Sequence, residues 1–138
     1  MSPGTNVEVV REIYAALERG DADAVLARYD PDVEWEFSAS PFRMVFQRTS
    51  YCGHDGIRAF IRERREEAWA EIFDHLDEVS EVDGHVVTVV TSGGRGRASG
   101  AEVARTHAAL WSLRKGRVIR VAWFATREEA LAAAGEAG

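Results

Sequence analysis

The stretch Ala104–Phe124, ARTHAALWSLRKGRVIRVAWF, decides the fold. Two apolar-rich runs flank Arg114-Lys115-Gly116, a pattern of two antiparallel strands joined by a tight turn. Along the first run one face carries Val103, Arg105, His107, Ala109, Trp111 and Leu113. The opposite face carries Ala104, Thr106, Ala108, Leu110 and Ser112. A guanidinium and an imidazole therefore share a strand face with a tryptophan, where alternation predicts burial. Downstream, Thr126-Arg127-Glu128-Glu129 is a capping-box sequence that opens a last helix over ALAAAG.

Upstream the strand pattern continues. EIFDHLDEVSEV (71–82) ends at the turn Asp83-Gly84, and HVVTVVTS (85–92) follows. GGRGRASG (93–100) joins it to the opening stretch. A phosphate cradle needs a strand before it and a helix after it, and here a strand follows. A wide hairpin or bulge is the expected form.

The first half is mainly helical. Asn6 is placed to cap VEVVREIYAALERG, whose Val7, Val10, Ile13, Tyr14 and Leu17 recur at helical spacing up to Gly20. Asp21 caps a second short helix, ADAVLARY, which Asp30-Pro31 ends. VEWEF then alternates as a strand, Val33, Trp35 and Phe37 on one side and Glu34 and Glu36 on the other. Residues 38–53 show no period and suggest a loop lying over an apolar surface. Asp55 starts a third helix, GIRAFIRERREEAW, with Ile57, Phe60, Ile61, Ala68 and Trp69 as its inner stripe.

Helix, helix, strand, helix and then antiparallel strands make an α+β pattern. A sheet curled around three helices leaves a cone open at one end, a natural small-molecule pocket. At 138 residues the chain is expected to be one domain, 1–138, able to bury a core without staples. Its net charge of −6 opposes binding to nucleic acid or anionic membranes. The single cysteine, Cys52, excludes an internal disulfide and suits a reducing compartment. No apolar run reaches the roughly 20 residues a membrane span needs. The N-terminus lacks the basic start and apolar centre of a secretory signal. These features give the expectation of a cytoplasmic protein that binds neither nucleic acid nor membrane.

The stretches IYAALERGDADAVLARYDPDVEWE, YCGHDGIRAFIRE and LWSLRKGRVIRVAWFATREEALAAAG, in this order and spacing, resemble the nuclear transport factor two-like superfamily and its SnoaL-like proteins. The resemblance implies a conical barrel: a strongly curved mixed or antiparallel sheet around three N-terminal helices, with a short C-terminal helix. It also implies a ligand cavity inside and a homodimer through the outer sheet face. Members include polyketide cyclases, ketosteroid isomerases, limonene epoxide hydrolases and scytalone dehydratases, so the site residues must choose the reaction.

Against the ketosteroid isomerases, Tyr14 stands where the oxyanion-hole tyrosine is. Phe37 stands where the general-base aspartate is, and Ala109 near the second aspartate. Two of those three roles are vacant. The epoxide hydrolase pattern is missing too, because Arg105 has no aspartate two residues along. No inward strand carries the acidic residue that polyketide cyclases use.

By the same resemblance the Trp111 face lines the cavity, with Arg105 and His107 inside it or at its mouth, about 6–7 Å apart. A histidine there has a pKa suited to proton transfer near neutrality. Arg105 would favour its neutral form and hold a developing enolate or carboxylate. Tyr14 could donate to a ligand carbonyl or simply pack. Trp35, Phe37, Phe60, Trp111 and Trp123 would supply core and aromatic cavity walls. The other face, with Ala104, Thr106, Ala108, Leu110 and Ser112, is small and mildly apolar and suits a sheet-to-sheet dimer contact.

His75 and Asp77 share a strand segment without an evident third ligand, so metal binding competes with plain exposed polarity. His54 is expected at a helix entry and His85 in a turn. No cofactor is expected. Three functions stay open: a cofactor-free cyclase, isomerase, dehydratase or hydrolase acting on an apolar oxygenated metabolite; a non-catalytic hydrophobic-ligand binder; or a dimerisation module with a filled cone.

Overall fold

The computed structural model describes residues 3–39, 50–62, 69–96 and 100–137. In chain order the elements are α1 (Pro3–Arg19), α2 (Ala22–Ala27), β1 (Tyr29–Ala39), β2 (Ser50–Cys52), α3 (Gly53–Arg62), β3 (Trp69–Val82), β4 (His85–Gly96), β5 (Glu102–Arg114), β6 (Arg117–Phe124) and α4 (Arg127–Ala137). The six strands form one sheet in the order β2-β1-β6-β5-β4-β3, which does not close. Every pairing is antiparallel except β1 with β6, which is parallel. The architecture is α+β with a mixed sheet. Among the described residues no helix is long and apolar enough to cross a membrane.

The turns follow the chemistry of their residues. Gly20, at φ 72°, ends α1: its N–H donates to Leu17 and the Asp21 N–H reaches back to Ala16 at 2.9 Å. This pairing of bonds around a left-handed glycine is a Schellman motif. Asp21 then caps α2 by accepting the Ala24 N–H at 3.1 Å, so one residue closes one helix and starts the next. Two hairpins turn on Asp83-Gly84 (φ 50° and 82°) and Lys115-Gly116 (φ 53° and 77°). Both central residues are left-handed, as two-residue hairpins with the twist of the strands require. Thr126 Oγ1 accepts the Glu129 N–H at 3.2 Å and donates to the Glu129 carboxylate at 3.3 Å, so Thr126 caps α4 where the sequence places the cap.

Several boundaries differ from the sequence expectation. Helix α1 starts at Pro3, upstream of Asn6, because a proline costs nothing in a first turn whose N–H groups have no intrahelical partner. The second helix stops at Ala27 and Tyr29 already belongs to β1, so Asp30-Pro31 lies inside the strand. The register with β6 slips between Tyr29 and Glu34, which leaves room for a proline that cannot donate to the ladder. Asp30 turns the chain there by accepting the Asp32 N–H at 2.9 Å. The third helix ends at Arg62, and Trp69 opens β3 opposite Gly96 rather than closing a helix. Ala68 lies outside the described residues. Half of the glycine-rich segment, Gly93 to Gly96, is strand and pairs antiparallel with β5; residues 97–99, where the wide hairpin is expected, lie outside the described residues.

Two cores lie on opposite faces of the sheet. The larger holds Val10, Ile13 and Leu17 of α1, Val25 of α2, Ile57 and Phe60 of α3 and the inner residues of β1, β4, β5 and β6. The smaller places Ala130 and Ala134 of α4 on Val87, Ala108 and Leu110. Ala108 is 0% exposed and Leu110 3%, so this part of the face expected to meet a second subunit is covered by the chain's own last helix, while Ala104 and Thr106 stay exposed. Small residues on both sides let helix and sheet approach closely.

Candidate functional site

Strand β5 runs along the inner face as a gradient. Trp111 and Ala109 are 0% exposed, His107 5%, and Arg105 is exposed. The register sets Val86, Thr88, Val90 and Ser92 of β4 opposite Trp111, Ala109, His107 and Arg105. Polar residues of two strands thereby meet on one buried face. His107 is the last buried side chain before the rim.

Ser92, itself 7% exposed, lies with its Oγ 2.9 Å from His107 Nε2. The imidazole tautomer decides which atom donates. The His107 ring also rests against Trp123, centroids 5.2 Å apart and planes inclined at 41°. Indole on one side and hydroxyl on another hold the ring in one orientation.

Deeper in, Thr88 joins two elements. Trp111 Nε1–H donates to Thr88 Oγ1 at 2.9 Å, and the Tyr14 hydroxyl lies 3.1 Å from the same oxygen. Tyr14 is thus inward, as helical spacing requires, but its hydroxyl is engaged within the protein beside Trp111. That favours packing over the oxyanion role the resemblance implies.

A net of rings forms the floor. Trp123 meets Trp111 and Trp35 edge to face, at 6.0 and 5.6 Å, and Trp35 meets Phe60 at 4.7 Å and Tyr29 at 5.9 Å. Each such pair adds about 0.5–1.5 kcal/mol beyond burial alone. Trp35 and Trp111 are fully buried, and Phe60 and Trp123 are 6% exposed, so these rings are chiefly core. Phe37 lies on β1, but its side chain is outside the described residues.

Tyr29 is fully buried, and among the described residues its hydroxyl closes no hydrogen bond of ordinary geometry. Burial pushes this phenol well above the usual tyrosine pKa. The nearby Tyr14 adds to the rise, and the Trp35 indole, a weak donor toward it, offsets part.

The remaining histidines lie elsewhere. His54 Nε2–H donates to the Tyr29 carbonyl at 3.0 Å and ties the entry of α3 to β1. His85 Nδ1 lies 3.2 Å from Ser112 Oγ beside its turn. His75 is exposed, its Nε2 3.6 Å from Asp77, whose other oxygen accepts the Thr91 hydroxyl at 2.6 Å. Thr91 in turn meets Thr106 across the strands at 3.0 Å, so this network lies on the outer face. Among the described residues, Leu76 and Val79 of β3 pack inward. Among the described residues no three His, Cys, Asp or Glu side chains converge as metal ligands.

Of the expected site residues the structure brings His107 and Trp123 together, sets Arg105 at the rim above them and holds Tyr14 apart against Thr88. Ser92 and Thr88 were not anticipated. Their signal was there in HVVTVVTS: two hydroxyls four residues apart, on one face of an otherwise apolar strand.

A family model of the SnoaL-like domain matches residues 10–121. Comparison with curated proteins found no match. Among solved structures, an NTF2-like protein of unknown function from Burkholderia pseudomallei is similar at 27% identity and TM-score 0.78, covering 96% of this chain and 97% of that one. TerC, co-crystallised with polyporic acid, is similar at 21% identity and TM-score 0.76, with 91% and 94% covered. A putative SnoaL-like polyketide cyclase from Jannaschia sp. is similar at 19% identity and TM-score 0.72, with 90% and 88% covered. With an open mixed sheet, helices against its inner face and a family match across more than half its length, the chain belongs to the SnoaL-like domain family.

Proposed function

We propose that this chain binds a flat, apolar, oxygenated small molecule against the inner sheet face at the rim, with His107 as a cofactor-free proton-transfer group. The observation that carries this reading is the hydrogen bond between buried Ser92 and buried His107, with Trp123 beside the ring. A buried imidazole with one nitrogen fixed by a hydroxyl is preorganised to take or give a proton. Arg105, two residues along the same face and exposed, supplies positive charge where a ligand carboxylate or enolate would sit. The reactions that need only these groups are isomerisation, dehydration, ring closure and hydrolysis.

A second reading, ligand binding without turnover, is favoured by the engagement of the Tyr14 hydroxyl with Thr88. It leaves His107 without the expected oxyanion partner. The dimer is proposed on what α4 leaves of the outer face, a polar strip around Thr91 and Thr106 with Ala104.

Polyporic acid, the molecule co-crystallised with TerC, is the first probe. Quenching of tryptophan fluorescence on its addition is the expected result, because Trp123 lines the site. His107→Gln and Ser92→Ala should each weaken binding by about tenfold, the equivalent of one lost buried hydrogen bond. Absence of quenching up to millimolar probe, or an affinity in both variants unchanged from that of the parent chain, would refute the site. A fall in turnover in His107→Gln much larger than its roughly tenfold loss of affinity would separate chemistry from binding.

A further inference from the structure

At the far end of β5 lies a pocket of about 420 Å³ lined by Asp30, Arg114, Lys115 and Arg117. It is seven residues along the strand from His107, roughly 24 Å at strand spacing, so it is separate from the inner face site. Its volume is within the range of about 300–1,000 Å³ usual for small-molecule sites. Three cations face one carboxylate there, in a protein of net charge −6.

Two local arrangements around this pocket are unfavourable for the fold alone. Arg114 and Arg117 are direct cross-strand partners, and like charges so placed repel. Lys115, the only lysine in the sequence, holds φ 53°, a conformation that asparagine or glycine adopts far more readily. The other left-handed non-glycine, Asp83, is of a type that tolerates it.

Several surface arginines elsewhere find carboxylates, Arg28 with Glu12, Arg58 with Asp23, Arg120 with Glu34 and Arg127 with Glu78, while exposed Arg11, Arg62 and Arg105 stand singly rather than clustered. Among the described residues Arg114, Lys115 and Arg117 have none. Local rules broken together without a gain in packing mark a functional site.

From this convergence of repelling cations, a left-handed lysine and a pocket of ligand size, we infer a binding site for the phosphate ester of a small hydroxylated molecule. The guanidinium groups offer forked donors to the phosphate oxygens and Lys115 a point charge. Asp30 has one oxygen taken by the Asp32 N–H, and its carboxylate accepts from the ligand's hydroxyls. A phosphate alone would leave most of the pocket, and Asp30, without a role.

Ribose 5-phosphate is the probe, titrated calorimetrically at low, matched ionic strength beside ribose and inorganic phosphate. The ester should bind, phosphate at least about tenfold more weakly, and ribose not at all. Lys115→Asn should keep or raise the melting temperature, since asparagine suits the turn, yet weaken the ester by at least about tenfold. Arg117→Gln should weaken it similarly, with the fold intact. His107→Gln should leave it unchanged, which separates this site from the inner one. No binding up to millimolar ester, an ester no tighter than phosphate, or undiminished binding in Lys115→Asn and Arg117→Gln would each overturn the assignment.

Discussion

Thr88 shows how one hydroxyl can hold a core in place. It accepts from the Trp111 indole and meets Tyr14, so it couples β4 to β5 and to α1. Thr88→Val keeps the shape and removes the acceptor. Unfolding by urea should show a loss of about 1–3 kcal/mol, the cost of a buried donor left without its acceptor, and Thr88→Ser should restore most of it. Tyr29 makes the opposite prediction. Because burial raises its pKa, the folded state holds the phenolic proton longer than the unfolded chain does. Stability is then full below the ordinary tyrosine pKa of about 10 and falls as pH rises beyond it. Tyr29→Phe should be close to neutral at pH 7 and should flatten the alkaline limb of a stability–pH curve. Unchanged alkaline sensitivity in that variant would show that other groups control it. The inward turn of His107 was legible from alternation about Trp111; its partner was not. Ser92 meets the imidazole diagonally across a register that only the β4–β5 pairing fixes.

At the scale of elements, composition told most where a residue type has a single use. Gly20, Asp21, Asp83-Gly84, Lys115-Gly116 and the Thr126 cap all fell where they were expected. Boundaries went astray where two periods overlap. Trp69 continues a helical stripe on paper, but it opens β3. Tyr29 extends α2 by composition, although its burial comes from packing on Trp35 as part of β1. Tertiary contact overrode local preference in both cases. The Thr126 cap of α4 gives a direct test, since α4 is what shields Ala108 and Leu110. Thr126→Ala should cost about 1 kcal/mol and speed amide exchange in α4 ahead of the sheet. Exchange that rises equally throughout the molecule would show that α4 and the sheet open as one unit.

For the whole molecule, the α+β order was visible from the spacing of helical and strand patterns, while the assignment of sheet faces was only half visible. Ala108 and Leu110 looked like an interface because small apolar strand residues serve a helix or a neighbouring subunit equally well. Deleting residues 127–138 would uncover them with Val87, and the shortened chain should self-associate with concentration in sedimentation while the full chain does not do so through that patch. A truncated chain as dispersed as the full one would mean the uncovered strands had lost their structure or repacked.

The parallel pairing of β1 with β6 carries one more consequence. Trp35 lies beside Val121, and within the sheet β1 has only β2 and β6 as described neighbours. During synthesis the β1 segment therefore leaves the ribosome long before the strand that completes its hydrogen-bond ladder exists. The nascent chain must carry Val33 and Trp35 without their final shelter until β6 has followed them out, and that interval is when chaperones would have most to protect.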